Sequence, residues 1–222
     1  MKNLNEDNLN ALLQGARVIE EDGYGIKVAC LANGDYLKLY RRKRLLSSAL
    51  WAPPARRFAA NAERLRQLDI PAPFIVETLQ VPSRQLNGVR YQPLPGDTLR
   101  NHWRSLDDEQ RAGEVQRFGA FLGQLHEFGV YFRSLHLGNV LTLPDDRFGL
   151  IDLSDMQISG RPLPRWKRQR NLQHMLRYAE DSHWLTVLHR QSLLSGYAQY
   201  CGQGPADRLA RALCRLQGPG EH

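Results

Sequence analysis

The feature that most restricts what this chain can fold into is a change of period at Pro93-Leu94-Pro95-Gly96. Before it, apolar residues largely alternate with polar ones, the period of strands with one buried face. After it they recur every three to four positions, the period of helices packed on a core. Residues 1–15 read as a short helix or arm leading into the fold. The first half then predicts antiparallel strands at 17–21, 26–31 and 35–40, turning at Asp22-Gly23-Tyr24-Gly25 and at Asn33-Gly34, the latter a strong hairpin signal. Pro53-Pro54 breaks the chain, a helix over 55–68 follows, and strands at 74–80 and 88–92 complete this half. The second half predicts helices over 98–103 and 107–128, a loop and hairpin turning at Pro144-Asp145-Asp146, helices over 166–178 and 182–200, and a short closing helix within 202–222. The expected fold is α+β and two-lobed: a small antiparallel sheet with one helix (1–92), then a compact helical lobe (93–222).

The chemistry is concentrated in residues 130–155, VYFRSLHLGNVLTLPDDRFGLIDLSD. Asn139 and Asp152 stand 13 positions apart (152 minus 139), one on each side of a hairpin and each embedded in apolar residues. Hard oxygen ligands from both ends of a hairpin suit Mg²⁺ bridging phosphate oxygens. The spacing matches the catalytic centre of a protein-kinase-like fold, where H-R-D-x-x-x-x-N supplies a catalytic Asp and a metal-binding Asn, and a second metal Asp follows. Here the H-R-D triplet reads Phe132-Arg133-Ser134, so the carboxylate is missing. Ser cannot act as a base near neutral pH without an activator of its own. His136 and Asp155 are nearby candidates to replace it; a loop-packing imidazole and a capping carboxylate are the alternative readings. Upstream, Lys38 lies on the third strand among apolar residues, where an ammonium needs an anionic partner. Glu63 on the following helix is the candidate. Gly23 and Gly25 form either a turn over nucleotide phosphates or an ordinary hairpin turn.

The formal net charge of +7 asks for an anionic partner, and the basic residues are clustered at Arg41-Arg42-Lys43-Arg44, at Arg56-Arg57 and through 161–170. No recognition motif for nucleic acid accompanies them, so nucleic acid is not an expected partner. The 161–170 segment follows the metal-type Asp on the side where acceptors bind in this fold. Arg133, Arg165, Lys167, Arg168 and Arg170 are therefore candidates to grip a phosphorylated sugar. Trp166 between them suits either packing or a membrane interface. No apolar run approaches the roughly 20 residues that span a bilayer, and the N-terminus lacks a signal-peptide pattern, so a cytoplasmic location is expected. Cys30, Cys201 and Cys214 have unrelated spacings and read as reduced packing residues.

As an ordered set, these residues resemble the bacterial lipopolysaccharide core kinase family, which phosphorylates heptose or Kdo sugars with ATP. The resemblance runs from about Val18 to Tyr178. It is carried by Val18-Ile19-Glu20-Glu21-Asp22, Tyr36-Leu37-Lys38-Leu39-Tyr40-Arg41, Tyr91-Gln92-Pro93-Leu94-Pro95-Gly96-Asp97-Thr98-Leu99, Leu125-His126-Glu127-Phe128-Gly129-Val130, the loop 135–141, Leu150-Ile151-Asp152-Leu153 and the basic segment 165–171. It implies that Lys38 and Glu63 form an ion pair, that Asn139 and Asp152 hold magnesium, and that Gln92 and Leu94 meet the adenine. It further implies ATP and Mg²⁺ as cofactors, a sugar or phosphorylated glycolipid as acceptor, and peripheral contact with the inner face of the inner membrane. Ser134 departs from the family pattern and leaves a second expectation open: a pseudokinase that binds nucleotide and regulates a partner in envelope assembly.

Overall fold

The computed structural model describes residues 1–41 and 53–217. Arg42, Lys43 and Arg44 of the first basic cluster, and the last residues of the predicted tail, lie outside that range. The chain divides into two compact units. One is Met1–Pro95 together with Asp152–Asp155; the other is Gly96–Ile151 with Met156 onward.

The first unit is a six-stranded sheet with a helix on each face. In chain order its elements are β1 (Lys2–Asn3), α1 (Glu6–Leu13), β2 (Arg17–Asp22), β3 (Gly25–Cys30), β4 (Tyr36–Arg41), α2 (Pro54–Gln67), β5 (Phe74–Val81) and β6 (Leu86–Gln92). The sheet order is β1-β5-β6-β4-β3-β2, antiparallel except for the parallel β1–β5 pair. Alternation along β4 decides the two faces. Leu37 and Leu39 point one way and are buried with Leu79, Val81 and Leu86 under Leu9 of α1. The N-terminal arm is thus an integral layer of this unit. Tyr36, Lys38 and Tyr40 point the other way. Across the ladder Tyr36 faces Tyr91 and Lys38 faces Val89, and Tyr91 packs on Phe58 of α2 with ring centroids 5.2 Å apart. The second helix therefore covers the face that carries Lys38. Pro at its first position suits a helix start, but its N-cap, Pro53, supplies no side-chain bond. Asn87 of β6 fills that role across the sheet: its Oδ1 accepts from the Ala55 N–H at 3.0 Å.

The second unit contains β7 (Asp97–Thr98), α3 (Leu99–Arg104), α4 (Asp108–Glu127), β8 (Val130–Phe132), β9 (Val140–Thr142), β10 (Phe148–Leu150), β11 (Met156–Ile158), α5 (Arg165–Met175), α6 (Ala179–His183), α7 (Arg190–Cys201) and α8 (Gln203–Gln217). Helix α4 opens with a reciprocal capping box: Gln110 N–H donates to Asp107 Oδ1 at 2.8 Å and Asp107 N–H to Gln110 Oε1 at 3.2 Å. Its buried stripe of Val115, Phe118, Leu122 and Leu125 is the core of the unit. Two short sheets, β10-β9-β7 and β11-β8, frame the loop between α4 and α5.

The single helix expected over 182–200 is instead three pieces. A five-residue π turn, Trp184–Leu188, separates α6 from α7, closed by His189 N–H donating to Trp184 O at 2.9 Å. The wider turn brings the consecutive residues Trp184, Leu185 and Thr186 all to the inside. A regular amphipathic helix would bury only a stripe. Trp184 there meets Trp103 edge-on at 6.0 Å.

Candidate active site

Lys38 stands mid-strand on the α2 side of the sheet, and its stem keeps it largely out of water. Its Nζ lies 2.6 Å from Asp152 Oδ1, across 114 residues of sequence. Asp152 begins the short segment that joins this unit from far along the chain. It adopts φ +58°, a left-handed conformation uncommon for a residue with a side chain. Residues held in such conformations cost about 1–3 kcal/mol and gather at functional positions. Beyond the lysine, the segment packs on α2, and Asn61 of α2, almost fully buried, donates from Nδ2 to Leu153 O at 2.8 Å. Tyr40 and Tyr91 flank the pair. Burial first, and the nearby Asp152 carboxylate second, push both phenols far up, so both stay protonated.

Glu63 is not the partner of Lys38. It is exposed and bonds to Arg66 and Gln67 on its own helix, and the Arg66 hydrogen bond holds its carboxyl below the usual range. The reason lies in the helix period. The buried stripe of α2 runs through Phe58, Asn61, Ala62 and Leu65, and Glu63 falls off it. Asn61, unremarked in the sequence, occupies the inward position. Gly23 and Gly25 form the exposed β2–β3 turn, where Asp22 Oδ1 accepts from Tyr24 N–H at 2.9 Å. Gly25 has φ +113°, which only glycine adopts freely. Gln92 ends β6 in an exposed position, and Leu94, half-buried, follows it.

In the helical unit, residues 132–139 form a loop whose backbone is held by side chains from other elements. Asn171 of α5 donates from Nδ2 to Phe132 O at 2.6 Å. Arg177 Nη2 donates to Arg133 O at 3.2 Å. Asp181 of α6, fully buried, accepts from Leu137 N–H at 3.1 Å and takes a two-pronged bond from Arg100 at 2.7 and 2.8 Å. The Arg100 guanidinium in turn lies 4.3 Å over the Tyr178 ring. Within the loop, Asn139 donates from Nδ2 to Ser134 O at 2.8 Å, which directs its Oδ1 elsewhere. His136 spends Nδ1 accepting from Gly138 N–H at 3.1 Å, and its ring meets Tyr178 edge-on at 4.9 Å. Ile151 N–H donates to Asn139 O at 3.1 Å, which ties the loop to the chain just before Asp152. Asp155 is exposed and closes the turn after Asp152.

The basic face of α5 is divided. Arg165 and Arg170 are exposed. Lys167 lies over the Tyr131 and Trp166 rings at 5.2 and 5.5 Å. Arg168 is turned inward, one helical turn before the buried Leu172, and is used up by the fold. It donates to Leu163 O at 2.8 Å, to the Tyr197 hydroxyl at 2.8 Å and to Glu127 Oε1 at 2.9 Å. Its proposed place in an acceptor grip is thereby corrected to a structural one.

The two units, one a sheet that holds a lysine against a left-handed aspartate and the other helical with a braced asparagine loop, make a mixed α+β, two-lobed protein-kinase-like fold. Within that class, residues 97–197 match the model of the lipopolysaccharide kinase (Kdo/WaaP) family. The matched segment is just under half of the chain and contains Ser134, Asn139, Asp152 and the whole of α5. It supports assigning the chain to that family, and the family implies a lipopolysaccharide kinase. No curated protein matches the chain.

Arg100, Asn171, Arg177 and Asp181 are site-bracing residues that sequence reading did not find. Arg100 and Asp181 are separated by 81 positions, and neither stands in a motif. The one available signal was an ionisable residue, Asp181, in the segment that leads into an otherwise apolar Trp-Leu-Thr-Val-Leu run.

Proposed function

We propose that this protein is an ATP- and Mg²⁺-dependent kinase acting on a heptose or Kdo sugar of the lipopolysaccharide core, at the inner face of the inner membrane. The observation that carries the reading is the Lys38–Asp152 pair, with Asp152 in its left-handed conformation. A phosphoryl-transfer site needs a cation for the nucleotide phosphates and a hard oxygen ligand for the metal that bridges them. In this reading residues 1–92 form the nucleotide lobe and 93–222 the acceptor lobe. Lys38 serves the α- and β-phosphates, and Gln92 and Leu94 meet the base. Asp152 and the Oδ1 of Asn139 would hold Mg²⁺; both are hard oxygen donors of the kind that ion prefers. The metal, when bound, neutralises the phosphate oxygens. In the transfer, a sugar hydroxyl oxygen bonds to the γ-phosphorus, the bond to the β,γ-bridging oxygen breaks, ADP leaves and the hydroxyl proton passes to water. Arg133, Arg165, Lys167 and Arg170 are the proposed grip on the phosphorylated acceptor.

Calorimetric titration with ATP, with and without Mg²⁺, tests the site. Binding should require Mg²⁺ and weaken at least tenfold in Asp152→Ala. Equal binding by the variant would sink this assignment. Incubation with ATP, Mg²⁺ and dephosphorylated core glycolipid then tests transfer.

Ser134 favours a second reading, a nucleotide-binding pseudokinase that regulates a partner in envelope assembly. Phosphoryl transfer through a loose transition state depends less on a base than acyl transfer does, so the serine by itself does not decide. Ser134→Asp separates the two: turnover that appears only in the variant identifies a disabled enzyme, and turnover already present in the natural chain identifies a kinase.

A further inference from the structure

A pocket of about 170 Å³ opens between α5, α7 and α8, and of its lining the kinase reading uses only Arg165. Its walls are Leu163, Leu172, Leu209 and Ala212, all buried. At its floor lies Tyr197, 1% exposed. The phenol oxygen is held between Arg168 Nη1 at 2.8 Å and His126 Nδ1 at 2.9 Å. Two more guanidiniums line the pocket, Arg165 and Arg208. Both are exposed, and neither forms an ion pair among the described residues, whereas Arg168 is already matched by Glu127. Among the described residues no carboxylate lines the cavity. An apolar pocket with unmatched positive charge at its lining is complementary to a molecule that is apolar along its length and anionic at one end.

We propose that this pocket binds a short amphiphilic anion, an alkyl chain with a carboxylate or phosphate head. The chain lies against Leu172, Leu209 and Ala212, and the head is taken by Arg165 and Arg208. The small volume, below the roughly 300–1,000 Å³ of larger ligand sites, suits a short chain or the end of a longer one. Such a ligand has two sources, a free fatty acid or an acidic lipid of a bilayer. The two readings share Arg165; the cavity, Tyr197 and Arg208 belong to this one alone.

The test is titration of the full chain with butanoate, hexanoate and octanoate by ligand-observed NMR, with octyl glucoside as the neutral-headed control. Affinity should rise about fourfold per methylene until the cavity is filled, and octyl glucoside should bind at least tenfold more weakly than octanoate. Arg165→Gln/Arg208→Gln, which alters only exposed side chains, should weaken octanoate at least tenfold. Ala212→Phe should block it, with circular dichroism to verify folding; should that variant not fold, the double arginine variant decides. Vesicles containing phosphatidylglycerol that displace octanoate identify a bilayer lipid as the source, and vesicles that leave it bound identify a soluble one. Absence of binding at 10 mM octanoate, equal binding of octyl glucoside, or an unchanged affinity in the arginine variant would overturn the proposal.

Discussion

At the scale of single residues, the ionisable groups that matter are those the fold has removed from water. His126 is wholly buried, and desolvation, with the Arg168 charge adding to it, pushes its imidazole down to about 3. The unfolded chain, with an ordinary histidine near 6.5, therefore takes up a proton that the folded chain refuses. Stability is complete above pH 6.5 and is lost as pH falls toward 3, at a limiting slope of about 1.4 kcal/mol per pH unit. Urea unfolding between pH 6 and pH 5 should approach this slope, and His126→Gln should flatten it. Asp181 is the second buried ionisable group, paired with Arg100. Breaking a buried pair strands the partner, at a cost of about 3–5 kcal/mol. Asp181→Ala should cost toward the lower end, because Arg100 keeps 19% exposure. The measurement is the urea midpoint, and a loss below 1 kcal/mol would show that Arg100 finds water instead. Neither residue was legible in the sequence, because burial is a property of the assembled fold. Lys38, Asn139 and Asp152 were legible, because a polar residue within an apolar run is itself a local anomaly. The partner assigned to Lys38 was not, since the choice between Glu63 and Asp152 depends on which side of α2 faces the sheet.

At the scale of elements, the closest packing is between α4 and α7, and glycine makes it possible. A Cβ on Gly196 would lie 1.8 Å from Gln116 O, and one on Gly119 would lie 2.3 Å from Leu193 O. Backbone meets backbone there, with no flexible side chain to yield. Gly196→Ala should therefore destabilise by about 1–3 kcal/mol or more, against the roughly 1 kcal/mol that alanine ordinarily gains over glycine inside a helix. Gly113, exposed on α4 with nothing within 4 Å of its Cβ position, gives the opposite sign: Gly113→Ala should stabilise by about 0.5–1 kcal/mol. Differential unfolding of the two variants checks both. Helices and strands with a single clear stripe, such as α2, α4 and β4, fell within a residue or two of their expected bounds. The strands β7, β8 and β11 did not show, because two or three residues are too few to express a period, whereas the equally short β9 and β10 were marked by their turn. The π turn was hidden for a different reason: consecutive inward residues look like the continuation of any apolar helix.

For the whole molecule, the order of strand-rich and helical halves was legible because the hydrophobic period changes at one place. The return of Asp152–Asp155 to the first unit was not, for no local pattern marks it. The chain passes between the units three times, after Pro95, after Ile151 and after Asp155. A fragment ending at Pro95 would leave the Lys38 ammonium without its carboxylate and Asn61 without the Leu153 carbonyl. Such a fragment should unfold at a lower urea concentration than the same fragment extended through a glycine-serine linker by residues 150–156. Equal midpoints would mean that the return contributes nothing to the sheet unit.

That four-residue visit has a consequence for inheritance. Modules joined by a single linker can be exchanged between genes by one cut. Here a cut between the halves removes the aspartate from the lysine it faces, so an exchange made at Pro95 delivers a sheet whose lysine has lost its carboxylate.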